Sequence, residues 1–140
     1  LPEALIEDPG LQDPDIRDYL EPHRGRITWD APFHSIADIE SLEWKPRMVN
    51  VKPSRIGGLK ELLDTYDWLA AEGIDCYSGG QFELGIGRRQ NQLLAAIFHP
   101  ASPNDLAPVG WNVNDPQPPL SAGPLQVTAA ASGFDAAVAT

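Results

Sequence analysis

A chain of 140 residues with 42% hydrophobic residues and four tryptophans carries enough apolar material for one packed domain, and its length forces no second one. Ten basic residues against twenty acidic ones give a formal charge of −10, which speaks against nucleic acid or an anionic membrane as the main partner and leaves room for a bound cation. Cys76 is the single cysteine, so no disulfide forms within the chain, and a reducing, cytoplasmic setting is the expectation.

The opening "LPEALIEDPG" has neither the basic region nor the apolar length of a signal peptide, and the longest apolar run, "LLAAIF", is too short to span a bilayer. A soluble protein with no membrane partner is expected. Leu1 stands where a strand approaches, so the natural start is expected further upstream.

In chain order, four short apolar runs end at polar or glycine positions. "ALI" (4 to 6) ends at Glu7 and Asp8, "RITW" (26 to 29) at Asp30, "RMVNV" (47 to 51) at Lys52, and "IDCYS" (74 to 78) at Gly79 and Gly80. Such runs, rich in branched and aromatic residues, read as buried parallel strands.

Between them lie segments of helical spacing. "DPDIRDYLEPH" and "SIADIESLEW" are short, with Asp13 and Ser35 as caps. "GGLKELLDTYDWLAAEG" is the clearest: Leu59, Leu62, Leu63, Tyr66, Leu69 and Ala70 form one stripe, and Gly73 supplies a stop. "QNQLLAAIF" is a further helix.

The strand ends Glu7, Asp30, Lys52 and Gly79 are spaced by 23, 22 and 27 residues, and Asp105 in "PNDLAP" follows 26 later. This beat of strand and helix predicts a parallel sheet with right-handed connections. An open doubly wound sheet and part of a (β/α)8 barrel both fit. Five units are too few to close a barrel, so a barrel reading makes this chain the later portion of one. Beyond Asp105 the beat fails, and the Pro-, Gly- and Ala-rich segment reads as an extended tail. The domain reading is 1–108 as partial barrel and 109–140 as tail.

In such sheets ligands gather at the C-terminal strand edge, where the loops converge. Two carboxylates on adjacent strand ends repel each other unless a cation intervenes, and an all-oxygen site suits Mg2+. A lysine one strand further on can act as a base on a carbon acidified by that metal. The plainer reading, in which strand-end acids cap helices or face water, has comparable weight from spacing alone.

The segment "NVKPSRIGGLKELLDTYDWLAAEGIDCYSGGQFELGIGRRQNQLLAA", with "LIEDP" and "ITWDAP" before it, resembles the C-terminal barrel of the enolase superfamily over roughly residues 4–108. The similarity is to the muconate-lactonizing-enzyme subgroup, which includes o-succinylbenzoate synthases and N-acylamino acid racemases. It implies that Glu7 and Asp30 bind Mg2+. It implies that Lys52 is an acid/base or stabilises an enediolate formed by taking the proton alpha to a carboxylate, and that Glu83 in the "GG-x-x-E" loop has a supporting role. The reaction would then be a dehydration, racemisation or cycloisomerisation of a small carboxylate by a full-length enzyme that forms a homo-oligomer.

The chain departs from the family pattern in four respects: it lacks the first metal aspartate, the earlier lysine pair and the N-terminal capping domain, and Ala31 rather than glutamate follows Asp30. The chain by itself is therefore expected to bind Mg2+ weakly and to turn nothing over. Two aspartates one residue apart, the dipeptide-epimerase feature, are absent around "PNDLAP".

Other candidates point to packing or surface roles. His23, His34 and His99 lack metal-ligand spacing, Cys76 sits in an apolar strand as a buried inert thiol, and "GIGRR" lacks the rest of a dinucleotide fingerprint. Trp29 and Phe33 beside Asp30 read as core aromatics, and Arg55 either pairs with a strand-end carboxylate or faces solvent. The rival from another class is a non-catalytic α/β interaction module with solvated strand-end charges.

Overall fold

The computed structural model describes residues 2–106; the proposed tail, 109–140, lies outside them. Its strands are β1 (Ile6–Glu7), β2 (Ile27–Trp29), β3 (Met48–Val51) and β4 (Asp75–Ser78), in the sheet order β1-β2-β3-β4. Pairing is parallel, with Ile6 opposite Ile27, Glu7 opposite Thr28, Thr28 opposite Met48 and Trp29 opposite Val49. The α/β alternation read from the sequence is therefore the architecture. Contacts divide the described residues into two compact units, residues 2–51 with 55–76 and residues 52–54 with 77–106.

In the first unit the strands alternate rather than being apolar throughout. Ile27, Trp29, Val49 and Val51 are buried in the hydrophobic core with Phe33, Ile39, Leu62, Tyr66 and Leu69. Thr28 and Asn50, on the other face by the period of two, are buried as well. One face of the sheet is thus apolar, and the other is largely polar, with Thr28 and Asn50 beside Met48.

Helix α1 (Pro14–Leu20) starts as its sequence demands: the Asp13 carboxylate accepts the Asp15 N–H at 2.9 Å, and proline occupies the first turn. It runs into a 3-10 helix, Glu21–Arg26. In α2 (Ile36–Glu40) Ser35 is the cap residue, yet its side chain caps no N–H. Its hydroxyl instead donates to Asp38, which also accepts the His34 N–H, and both bonds hold the Asp38 carboxyl below its ordinary range.

A four-residue helix, α3 (Pro53–Ile56), follows β3. Helix α4 (Leu59–Glu72) ends at Gly73, whose φ of +67° is the left-handed stop expected there. Its buried stripe is narrower than the spacing predicts, because Leu59 is 65% and Leu63 40% exposed while Thr65 is buried with its hydroxyl on the Glu61 carbonyl at 2.7 Å.

The second unit holds α5 (Gly85–Phe98), which begins at the "GIGRR" segment rather than at "QNQLLAAIF". Asn104 organises the segment after it. Its Oδ1 accepts the Ser78 N–H and lies against His99 Nδ1, both at 2.8 Å, and its Nδ2 donates to the His99 carbonyl at 3.1 Å. The fifth strand of the sequence reading is reduced, among the described residues, to a parallel bridge between Gly79 and Asp105.

Candidate functional site

Glu7 is the last residue of β1 and stands opposite Thr28; Asp30 follows Trp29, the last residue of β2. Glu7 shares the face of its partner Thr28, and Asp30 is the first residue beyond β2. The structure thus brings Glu7 and Asp30 to the same edge of two adjacent parallel strands within the first unit.

Asp30 is fixed from two sides. Arg55 Nη1 lies 2.8 Å from Asp30 Oδ1 and also donates to the Asp30 carbonyl, with both side chains mostly buried at 12% and 16% exposure. The two readings open for Arg55 are thereby resolved in favour of the carboxylate partner. On the other side, the Asp8 carboxylate accepts the N–H groups of Asp30 and Ala31, each at 2.8 Å.

Mg2+ is commonly held by one or two carboxylates with water and substrate oxygens in the remaining positions, and Glu7 and Asp30 are two of the three carboxylates that the family resemblance calls for. A carboxylate has acceptor capacity for a guanidinium on one oxygen and a metal on the other. The donor chemistry of Glu7 and Asp30 therefore fits Mg2+. Among the described residues no group of three or more His, Cys, Asp or Glu side chains is placed to hold a metal ion.

Lys52 directly follows Val51, the end of β3, and is half-buried in the second unit. Glu83 lies in the same unit, and its carboxylate is shared between α3 and its own loop. Ser54 Oγ donates to Oε1 at 2.8 Å, and the Gln81 N–H donates to Oε2 at 2.7 Å. A Cβ on Gly80 would sit 2.6 Å from Glu83 Oε2. The second glycine of "GG-x-x-E" is thus required for the carboxylate to lie against the backbone.

Two residues here escaped the sequence reading. Asp8 stands beside Glu7 at the end of "ALI" in the sequence reading but has no role there. Asn50, which the β2–β3 register carries level with Asp30, is 1% exposed, and neither its Oδ1 nor its Nδ2 meets a hydrogen-bond partner among the described residues. Its signal was present as a polar residue inside "RMVNV", two positions before Lys52.

Cys76 is half-buried, and burial, with a smaller contribution from Asp75, pushes its thiol up to about 11, away from nucleophilic use. His99 is buried, and burial lowers its pKa despite the opposing bond to Asn104. No helix among the described residues is long and apolar enough to cross a membrane.

These features define the class: an α/β chain on a parallel sheet, with acidic groups at the C-terminal ends of adjacent strands. The chain belongs to the family described as "Domain of unknown function (DUF8230) C-terminal domain", which matches residues 1–113. It is 35% identical over 108 residues to the o-succinylbenzoate synthase of Bacillus subtilis (strain 168), a match covering 74% of this chain and 29% of that protein. It is 41% identical over 59 residues to the N-succinylamino acid racemase of Amycolatopsis sp, covering 42% of this chain and 16% of the racemase. A crystal structure of an enolase-superfamily member from Listeria innocua Clip11262 superimposes with a TM-score of 0.61 at 30% identity, over 76% of this chain and 30% of that one.

The chain spans less than a third of the length of these relatives. The resemblance drawn from "LIEDP", "ITWDAP" and "NVKPSRIGG" is matched by these relatives: they are enolase-superfamily proteins of the o-succinylbenzoate synthase and acylamino acid racemase subgroup.

Proposed function

We propose that this chain forms part of a Mg2+-dependent enzyme that removes the proton alpha to a substrate carboxylate, with dehydration, racemisation or cycloisomerisation as the outcome. The observation that supports it is the succession of strand ends: Glu7 closes β1, Asp30 follows β2 and Lys52 follows β3. Glu7 and Asp30 would hold the ion through their carboxylate oxygens. When bound, Mg2+ supplies positive charge that neutralises a substrate carboxylate and acidifies the neighbouring carbon.

Lys52 would accept that proton at Nζ or face the charge that develops on the substrate as an enediolate. Glu83, with both carboxylate oxygens engaged, supports the loop rather than carrying a proton. The substrate is a small carboxylate, and the complete enzyme is a cytoplasmic homo-oligomer; the chain alone binds Mg2+ weakly and is inactive.

The test uses the full-length protein in D2O with N-succinylamino acids and Mg2+. Exchange of the α-proton for deuterium is expected, lost on chelation and lost in Lys52→Ala while the circular dichroism spectrum is unchanged. Exchange that survives in Lys52→Ala would remove the lysine from the mechanism.

A further inference from the structure

Asp8, directly after the proposed metal ligand Glu7, is in an unfavourable conformation. Its φ of +47° lies in the left-handed region, which a residue with a side chain adopts at a cost. Its backbone N–H extends the β1–β2 ladder by donating to the Thr28 carbonyl at 3.0 Å. In that posture its carboxylate reaches back to the end of β2, where Oδ1 accepts the Asp30 N–H and Oδ2 the Ala31 N–H, both at 2.8 Å.

The brace is negative, at an edge where Arg55 already supplies one positive charge to Asp30. The bonds add a third carboxylate at a strand edge already carrying Glu7 and Asp30, and like charges gathered this way repel. A carboxylate does offer one acceptor oxygen to each N–H, whereas an asparagine has a single acceptor oxygen for two donors. A cation at Glu7 and Asp30 would offset the repulsion and leave the geometric gain.

We propose that Asp8 is a positioning residue: it straps the end of β2 so that Asp30 presents its carboxylate at the same edge as Glu7, and divalent-cation affinity depends on that strap. This role rests on Glu7 and Asp30 holding the ion. Groups that orient metal ligands contribute roughly 10- to 100-fold to affinity, and a shift of that size is the expectation here.

The experiment compares the full-length protein with Asp8→Gly, which accepts the positive φ without strain but has no strap, and with Asp8→Asn, which keeps one acceptor oxygen. Mg2+ affinity is read by calorimetry and the strap by amide hydrogen exchange at Asp30 and Ala31. Asp8→Gly should lose protection at both amides, bind Mg2+ about 10- to 100-fold more weakly, and recover most of its turnover at saturating Mg2+. Asp8→Asn should fall between it and the parent, and decides the matter should the glycine variant not fold.

Unchanged Mg2+ affinity in the variants, or unchanged amide protection, overturns the role of Asp8 and leaves the proposed function standing. A parent protein that binds no Mg2+ overturns both. Turnover that survives in Lys52→Ala, alongside weakened Mg2+ binding in Asp8→Gly, overturns the proposed mechanism and supports the strap.

Discussion

The end of β2 and the loop after β4 each hold a carboxylate in place, by different chemistry. At the end of β2 the Asp30 side chain meets a guanidinium, while its backbone is gripped by Asp8. In the loop after β4 the Glu83 side chain is itself the grip, accepting a backbone N–H and a hydroxyl from Gln81 and Ser54. A carboxylate whose two oxygens tie its loop to a neighbouring helix is committed to structure. One whose backbone is held by its neighbours keeps its charge for a partner, here Arg55 and, in the proposed enzyme, a metal ion.

The largest effect that tests this division lies at Lys52. Loss of a general base typically costs about 10²- to 10⁴-fold in rate, so Lys52→Ala should reduce turnover of the full-length enzyme by that order at unchanged thermal stability. A rate within a few-fold of the parent would place the lysine with the structural groups instead.

Next comes Arg55→Ala, which leaves the mostly buried Asp30 carboxylate without its guanidinium. Breaking a fully buried pair costs about 3–5 kcal/mol, and the partial exposure here reduces that to about 2 kcal/mol. Urea denaturation should show the loss, and Asp30→Asn in the Arg55→Ala background should restore part of it. If Asp30→Asn costs the same with and without Arg55, the two side chains are not coupled.

The Glu83 loop should respond more weakly. Gly80→Ala drives a methyl group into Glu83 Oε2 and displaces the carboxylate from its two bonds, and Ser54→Ala removes one of them. Each should cost about 1 kcal/mol, and the double variant should cost less than the sum because both act on one carboxylate. Strict additivity in thermal melts would separate Ser54 from Glu83.

The smallest effect is a pH dependence. Burial lowers the His99 pKa below its ordinary value of 6.5, so between the two values the unfolded chain binds the extra proton. The stability associated with neutral His99 is present above about pH 6.5 and is lost as pH falls through the lowered folded-state value. His99→Gln should flatten that part of the stability profile in denaturation between pH 5 and 8.

Much of the fold was legible because its signals are local. Asp13 before a proline and Gly73 after an apolar stripe are stop and start chemistry that acts within one turn, and both sit where the sequence placed them. Boundaries differed where a side chain binds the backbone near an element's end. The run "ALI" yields only Ile6 to β1, and the Ala4 carbonyl before it accepts the Arg26 Nε–H at 2.7 Å. Helix α2 stops short of "SLEW" where the Ser41 hydroxyl turns back to the Asp38 carbonyl at 2.7 Å. The sequence reading placed no element at α3, which opens on Pro53 at a position where proline suits a helix start.

The sequence by itself determined the parallel α/β beat, the positions of Glu7, Asp30 and Lys52 at successive strand ends, and the kinship with the enolase superfamily. The first two follow from periodicity and from residue types at fixed spacing, which a linear chain records directly; the kinship follows from the resemblance of "LIEDP", "ITWDAP" and "NVKPSRIGG" to that family. Only the tertiary structure decided that Arg55 belongs to Asp30, that Asp8 grips the end of β2, and that Glu83 closes its own loop. Each joins groups brought together by strand register or by a backbone turn of unusual φ, and neither is written in the order of the residues.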